Sequence, residues 1–176
     1  MAPGCAYRAY DLGTPSVAPH GAARALAPAD GAFHVLLSGV ASDSHTWNLV
    51  YLDTLLREAG CAVTNVGPCP PDDLLVTECA AADPDLIVIS SVNGHGAADG
   101  IRVIRKIRAV PGLARTPAVI GGKLGTLGAG NAALVPRLLA AGFDRVFPDG
   151  SAEGFLDYLD ALRTRADEHA GRLVGA

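Results

Sequence analysis

The sequence lacks a basic excess, a paired-cysteine motif and a long apolar segment, and each absence excludes a class of function. Its 14 basic and 18 acidic side chains give a net charge of −4, so no surface is expected to attract nucleic acid or anionic lipid. The four cysteines form no C-x-x-C pair, which argues against a zinc site and favours reduced thiols. No segment reaches the roughly 18 apolar residues of a membrane span, and the N-terminus has no signal-peptide pattern. We therefore expect a cytoplasmic protein whose partners are small molecules or other proteins.

Composition divides the chain into unequal parts. Residues 1–31 are rich in Ala, Pro and Gly without a sustained apolar period, which predicts a flexible N-terminal extension. A chain of 176 residues with 49% hydrophobic content can build one core but is short for two. Residues 32–166 are therefore predicted to form one domain, followed by a C-terminal tail at 167–176.

From Phe33 onward, short apolar runs alternate with longer amphipathic stretches, a pattern typical of βαβ units. Strands are predicted at 33–40, 61–67, 84–91, 117–122 and 144–150 (the last with its turn), and helices at 46–59, 71–83, 97–110, 131–142 and 151–169. The third strand, "PDLIVISS", is a continuous run of the kind buried on both faces of a parallel sheet. Pro136 is expected in the first turn of the fourth helix, and Gly142 is expected to cap its end.

These units predict an α/β fold with a flavodoxin-like (Rossmann-like), doubly wound, five-stranded parallel sheet in the order 2-1-3-4-5. In such sheets, ligands bind outside the carboxyl ends of the strands, at the switch between strands 1 and 3. The loops at that edge read "SDSHTWN" (42–48), "SSVNGHG" (90–96) and "GGKLG" (121–125). The small residues of the second and third loops would let a bulky ligand approach the backbone closely.

The first loop contains the only Asp/His pair at a predicted strand end. Imidazole is the commonest metal ligand in proteins, and a carboxylate often holds its second ring nitrogen. Asp43, two residues before His45, could do so in a turn. A commoner use of such residues is that Ser42, Asp43 or Ser44 caps the following helix while His45 lies on its surface. The pair by itself leaves both interpretations open.

Two other ligand classes are disfavoured by the same loops. The stretch "GGKLGTLGAGN" matches neither G-x-x-x-x-G-K-[ST] nor a G-x-G-x-x-G in the first unit, so we expect no mononucleotide site. A response regulator would need an acidic cluster after the first strand and a phosphoryl-accepting aspartate after the third. This chain has Ser90 and Ser91 at the second of those positions.

Taken together, the three loops resemble the cobalamin-binding domains of the base-off/His-on class. The resemblance rests on D-x-H in the first loop, on Ser90-Ser91-Val92 after the third strand, and on the double glycine 121–122. With "AAGFDRVFPDGS" further on, residues 33–162 are similar to the small, cobalamin-binding subunits of glutamate mutase, also called methylaspartate mutase.

The resemblance implies that His45 is the lower axial ligand of cobalt, in place of the cofactor's own dimethylbenzimidazole, and that Asp43 hydrogen-bonds to it. It also implies that residues of four loops bind the corrin and the displaced nucleotide tail. These are Ser42, Ser44, Thr46, Ser90, Ser91, Val92, Gly121, Gly122, Lys123, Leu124, Gly125, Phe147, Pro148, Gly150 and Ser151.

The function implied by the resemblance is that of one subunit of an isomerase. The cofactor would be adenosylcobalamin, and a larger TIM-barrel subunit would complete a heterotetramer that interconverts L-glutamate and 3-methylaspartate by radical chemistry. The sequence has no arginine cluster for two carboxylates and no clear acid/base pair, so we expect no catalytic residue here and no activity without the partner. The alternatives are a cobalamin-binding module of another mutase, a methyltransferase or a radical enzyme, and a non-enzymatic cobalamin-binding protein or sensor.

The chain departs from the family pattern D-x-H-x-x-G, because Asn48 takes the place of the glycine. Asn tolerates positive φ, so we expect the backbone turn to persist at Asn48. Close packing against the corrin is less certain to persist, and this motivates the sensor alternative. His95 is expected to be a loop residue near the corrin or a partner rather than a second ligand.

Overall fold

The computed structural model describes residues 31–126, 133–148 and 150–174, in which strands and helices alternate along the chain. The strands are β1 (His34–Ser38), β2 (Ala62–Gly67), β3 (Leu86–Ser91), β4 (Ala118–Gly122) and β5 (Arg145–Phe147). The helices are α1 (Trp47–Glu58), α2 (Asp72–Ala82), α3 (Gly96–Arg108), α4 (Leu134–Ala141) and α5 (Ala152–Val174). A short 3-10 helix at Pro111–Leu113, which the sequence pattern did not predict, precedes β4.

The strands form a parallel sheet in the order β2-β1-β3-β4-β5. This confirms the predicted flavodoxin-like topology. Because neighbouring parallel strands need a long crossover, a helix follows each of β1 to β4 before the next strand begins. β1 pairs with both β2 and β3, so the carboxyl ends of β1 and β3 lie side by side at the switch point.

The central strands are buried along their whole length, as the apolar run of the third strand predicted. Every residue of β1 and of β3 is buried. Successive side chains point to opposite faces: Leu36 and Ile87 pack with α2, α3 and α4, whereas Leu37 and Val88 pack with α1 and α5. The two hydrophobic clusters fix the sheet between two helical layers, and the loops at its carboxyl edge are thereby held in place.

The ends of the later helices show where the sequence pattern succeeded and where it did not. Helix α4 places Pro136 in its first turn and ends at Gly142, whose φ of 128° favours glycine, as predicted. Helix α5 continues to Val174, past its predicted end at residue 169 and through most of the segment predicted as a tail. Residues 1–30, most of the predicted N-terminal extension, lie outside the described part of the chain.

Among the helices that the structure describes, none is both long enough and apolar enough to cross a membrane.

Candidate functional site

The loop after β1 is held at the carboxyl edge of the sheet by backbone hydrogen bonds. Gly39 donates its N–H to the carbonyl of Gly67 over 3.1 Å, and Asp43 donates its N–H to the carbonyl of Val40 over 3.0 Å. The carbonyl of Asp43 accepts from the N–H of Cys69 over 3.1 Å, which ties this loop to the one after β2. The backbone around Asp43 therefore occupies one defined turn.

The Asp43 carboxylate connects two loops and an imidazole. Its side chain is 1% exposed. One oxygen accepts hydrogen bonds from the Ser91 hydroxyl (2.9 Å) and from the backbone N–H groups of Val92 (2.6 Å) and Asn93 (3.2 Å). The other accepts from the backbone N–H of His45 over 3.1 Å and lies 2.6 Å from its ring Nδ1. The loop after β1 and the end of β3 thus share one buried carboxylate.

The helix-cap interpretation of this loop is wrong. Helix α1 begins after Thr46, and no side chain makes a capping hydrogen bond at that position. The oxygens of Asp43 accept hydrogen bonds from His45 and from groups at the end of β3 instead. Ser42 donates to Asp99. His45 is therefore not an ordinary residue of the first helical turn, because Asp43 holds its ring.

Hydrogen bonding keeps Asp43 ionised. Burial raises the pKa of its carboxyl, but the hydrogen bonds from Val92, His45 and Ser91 outweigh burial and lower the pKa to about 2. An ionised carboxylate only accepts, so His45 donates its Nδ1–H to it, and the lone pair of the neutral ring lies on Nε2. Half of the His45 side chain (49%) is exposed, and among the described residues Nε2 has no hydrogen-bond partner. The pair therefore presents one basic nitrogen to a ligand that arrives from outside.

A second layer of polar contacts holds Ser42. Its backbone N–H and its hydroxyl both donate to one oxygen of Asp99, over 3.3 and 2.5 Å. Asn93 donates its amide to the Ser42 carbonyl over 2.8 Å. Arg102 pairs with the other oxygen of Asp99 over 2.6 Å and with Asp72 of α2, also over 2.6 Å. Ser42 therefore anchors the loop that carries the Asp/His pair.

A cavity of about 170 Å³ lies between the carboxyl ends of β3 and β4 and helices α1 and α5. Val92, which donates to Asp43, is in its lining, whereas Asp43 and His45 are not. A dry cavity of about 150 Å³ can hold benzene, so the space suits one aromatic ring. Predicted site residues that line it are Ser90, Val92, Gly121, Gly122, Phe147, Gly150 and Ser151. The other lining residues are Trp47, Asn48, Tyr51, Leu52, Val88, Ile89, Val119, Ala152 and Phe155.

The double glycine at the end of β4 lets the strands approach at this cavity. A methyl group on Gly122 would collide with the carbonyl oxygen of Ser91, and the φ of Gly122 is 97°. A methyl group on Gly121 would lie 3.2 Å from Cβ of Phe147. A side chain at Gly122 would thus clash with β3, which is the physical reason for glycine there, whereas one at Gly121 would crowd Phe147 of β5.

The remaining predicted site residues lie around the cavity rather than in its lining. Ser91 is buried and donates to Asp43. Leu124 and Gly125 line a separate pocket, together with His95. The last four, Ser44, Thr46, Lys123 and Pro148, are exposed. Direct contact of these residues with a cofactor stays a prediction.

The sequence pattern missed the helical wall of the cavity. Trp47 and Tyr51 are four residues apart on α1, so they lie on one face of the helix, and Phe155 contributes from α5. This helical spacing was the available signal, but it identifies a wall only once the start of α1 is known. Asn48 belongs to the same wall.

The expectation of a positive φ at Asn48 is wrong. Within the described residues, positive φ outside glycine occurs at Cys69 and Asp83, whereas Asn48 is the second residue of α1. Its side chain is buried and donates from Nδ2 to the Ser90 hydroxyl over 2.9 Å. Its Oδ1 is buried without a hydrogen-bond partner in the described part of the chain. Asn48 therefore fills part of the wall that a glycine would leave open.

Comparisons with known proteins identify relatives of this chain. A protein-family model described as the B12 binding domain matches residues 33–152. A glutamate mutase sigma subunit of Halobacterium salinarum is 33% identical over 133 residues, which cover 76% of this chain and 87% of the relative. A glutamate mutase sigma subunit of Treponema denticola is 32% identical over 118 residues, which cover 66% and 84%.

Solved structures share the fold at lower identity. A cobalamin-binding protein from Desulfitobacterium hafniense has a TM-score of 0.54 at 16% identity, covering 66% of this chain and 53% of that one. A putative response regulator from Chloroflexus aurantiacus has a TM-score of 0.57 at 15% identity, covering 76% and 98%. These likenesses show a common architecture, whereas the family match and the sequence relatives are specific. The chain belongs to the B12-binding domain family, and its relatives there are glutamate mutase sigma subunits.

Proposed function

We propose that this chain is the cobalamin-binding subunit of an adenosylcobalamin-dependent glutamate mutase, an isomerase that interconverts L-glutamate and 3-methylaspartate. The observation that carries the proposal is the His45 ring held over 2.6 Å by the buried Asp43, at the same edge of the sheet as a cavity lined in part by glycines 121–122. The names of the sequence relatives support the choice of this mutase over other enzymes of the family. Residues 32–166 are proposed as the cobalamin-binding domain.

The donor groups at the site fit a corrinoid. A corrinoid would require a single cobalt ligand from the protein, and His45 would supply it with its one available imidazole nitrogen. The cavity has room for one aromatic ring, so it would admit part of the displaced lower base, whose two fused rings and two methyl groups are larger than benzene. Its walls are mostly apolar, as at sites that bury an aromatic group. The unpaired Oδ1 of Asn48 offers an additional polar contact there.

When bound, adenosylcobalamin supplies a cobalt–carbon bond whose homolysis starts radical rearrangements. The part played by this chain is to bind and to orient. His45 would donate the Nε2 lone pair to the metal, and Asp43 would hold the Nδ1 proton, which fixes the tautomer and the orientation of the ring. The walls from α1 and α5 would cover the nucleotide tail and keep water away from it.

The substrate site is proposed to lie on a larger TIM-barrel subunit that joins this chain in a heterotetramer. His45 is half exposed, and Trp47, Val50 and Tyr51 expose apolar surface on the helix that follows it. A partner that covers this edge would bury that apolar surface and enclose the reacting face of the cofactor. Such an arrangement explains why the activity is expected to require both subunits.

The proposal is tested by reconstitution. The purified chain is mixed with adenosylcobalamin, L-glutamate and the larger subunit of a glutamate mutase, and formation of 3-methylaspartate is followed by proton NMR. We expect product with the wild-type chain and none when this chain is omitted. Tight cobalamin binding without any 3-methylaspartate would contradict the mutase assignment and favour a module of another cobalamin enzyme, or a sensor.

A further inference from the structure

Asn48 combines burial, an unsatisfied polar atom and a position in the cavity wall. Its side chain is 5% exposed, and it lines the cavity between α1 and the ends of β3 and β4. Its Nδ2 donates to the Ser90 hydroxyl over 2.9 Å, while its Oδ1 has no partner in the described part of the chain. Turning the amide over would pair the oxygen with Ser90 and leave the nitrogen unpaired. In either orientation, one polar atom of the amide lacks a partner.

An unpaired buried amide oxygen is costly, and native proteins seldom keep one without a reason. Ser90 already accepts from the Asn48 amide nitrogen. The other cavity residues on α1 are Trp47, Tyr51 and Leu52, which are hydrophobic or aromatic. These side chains leave the amide without a second partner. A hydrogen-bond donor brought in by a ligand would remove the cost.

We propose that Asn48 hydrogen-bonds to the ribose hydroxyl of the nucleotide tail and so makes the site selective for corrinoids that carry the complete tail. This inference rests on the proposed cobalamin-binding function. With Nδ2 on the Ser90 hydroxyl, as the structure has it, Oδ1 needs a donor. Within the nucleotide, dimethylbenzimidazole has no N–H donor and the phosphodiester is ionised, so a ribose hydroxyl is the group that can donate to Oδ1. A glycine at position 48, as in the family pattern, has no side chain with which to make this contact.

The experiment compares two ligands that differ only in the tail, adenosylcobalamin and adenosylcobinamide. Affinities are measured by isothermal titration calorimetry for the wild-type chain, Asn48→Ala and Val50→Ala. We expect Asn48→Ala to weaken adenosylcobalamin binding about tenfold, the loss of one buried hydrogen bond, and to leave adenosylcobinamide within about twofold. Val50→Ala, on the exposed face of the same helix, is expected to change neither affinity.

Two further checks separate a ligand contact from a structural effect. Ala favours helix more than Asn does, so Asn48→Ala does not weaken α1 through helix propensity. Asn48→Gly restores the family residue. After its change in affinity for adenosylcobinamide is subtracted, we expect it to show the same loss of affinity for adenosylcobalamin as Asn48→Ala. Thermal unfolding of each free variant confirms that it is folded.

The outcomes distinguish this inference from the proposed function. Equal losses for both ligands would overturn it, because Asn48 would then act on the shape of the whole site. Unchanged affinities for both would also overturn it, since a water molecule would then satisfy Oδ1. If the wild-type chain bound neither corrinoid, the proposed function itself would fail and this inference with it.

Discussion

Asp43 determines what His45 can do chemically. A surface histidine is free to rotate and to exchange tautomers, but here the ring lies 2.6 Å from a carboxylate that is 1% exposed and held by β3. The lowered pKa of Asp43, about 2, keeps that carboxylate ionised. The ring therefore has one fixed donor and one free acceptor.

Replacing Asp43 by Asn tests this dependence. The amide cannot accept hydrogen bonds at both of its atoms, so the ring loses its orientation, and changes in such supporting contacts lower metal affinity by about 10- to 100-fold. We expect that loss for cobalamin, measured by titration of the corrin absorption bands. Asp53→Asn serves as a control, because that carboxylate pairs with Arg57 on α1. Equal affinities of Asp43→Asn and the control would contradict the account.

Gly122→Ala tests the close approach of β4 to β3. The added methyl group would collide with the Ser91 carbonyl at a φ of 97°, so we expect the free energy of unfolding to fall by at least about 2 kcal/mol. Gly112→Ala is the matched control, because nothing lies within 4 Å of its added methyl group and its φ is outside the left-handed region. Urea unfolding measures both variants. Similar losses in the two would show that the double glycine has no steric role.

At the scale of residues, the sequence predicted those contacts that depend on local spacing. The D-x-H spacing allowed the Asp43–His45 contact but left a helix cap equally open, and the resemblance to a family implied both that contact and a wall of small residues at 121–125. The role of Ser42 could not be predicted, because its partner Asp99 is 57 positions away and meets it only after α3 has packed. Asn48 was misread because the glycine of the family pattern was taken to mark a turn, although the predicted helix 46–59 already included position 48.

At the scale of elements, a row of charged side chains connects helices α2 and α3 to the loop after β1. Arg102 of α3 bonds to Asp72 of α2 and to Asp99, which holds Ser42. Each link is short, and all three carboxyl or hydroxyl partners lie in the first turn of a helix or in a loop. The packing of α2 on α3 therefore contributes to the position of the loop that carries His45.

The pH dependence of stability tests the link between α2 and α3. The hydrogen bond from Arg102 lowers the pKa of Asp72 below its ordinary value of 3.8, although burial opposes this. A lowered folded-state pKa means that Asp72 stabilises the fold above pH 3.8 and that this contribution is lost as the pH falls further. We expect Asp72→Asn to cost about 1 kcal/mol at neutral pH, since Arg102 is half exposed, and progressively less below about pH 4.

Urea unfolding of the wild-type chain and Asp72→Asn across this pH range provides the measurement. Asp157→Asn, which alters an exposed carboxylate on α5, is the control. A difference between wild type and Asp72→Asn that stayed constant down to pH 3 would contradict the electrostatic origin of the effect.

Element boundaries followed the apolar pattern better within the sheet than at the ends of helices. The fully buried β1 and β3 give continuous apolar runs, so their positions were predicted to within two residues at each end. The end of α5 was predicted at residue 169, five residues too early; Gly171 just beyond it is a residue type that often ends a helix, yet α5 passes through it to Val174. The short 3-10 helix at Pro111–Leu113 has no periodic signal to detect.

At the scale of the whole molecule, the same topology serves unlike chemistry. The chain matches a response regulator with a TM-score of 0.57 and a cobalamin-binding protein with 0.54, so fold alone does not separate them. The residues at the carboxyl ends of β1 and β3 distinguish this chain from a response regulator, because Asp43, His45 and two serines lie there. The order of strands was predictable from the alternation of patterns, whereas the site depended on a resemblance to a family.

A surface variant tests the proposed docking edge. Val50 is 62% exposed on α1 and is absent from the cavity lining. We expect Val50→Glu to keep its cobalamin affinity but to weaken association with the larger subunit by about tenfold or more, because a charge would be buried at an apolar contact. Glu168→Gln, at an exposed position far along α5, is the control for association, and sedimentation velocity measures both. Unchanged association of Val50→Glu would place the partner on another face.

The central claim, that His45 binds cobalt, is tested most directly by electron paramagnetic resonance of the chain mixed with cobalt(II) cobalamin. The protein is prepared with ordinary histidine and with histidine labelled with nitrogen-15, while the cofactor is left unlabelled. If the ligand is His45, labelling changes the superhyperfine splitting from the axial nitrogen, since the two nitrogen isotopes differ in nuclear spin, and His45→Ala abolishes that signature. A splitting that is unaffected by labelling and persists in His45→Ala would mean that the cofactor keeps its own base, and the account would be wrong.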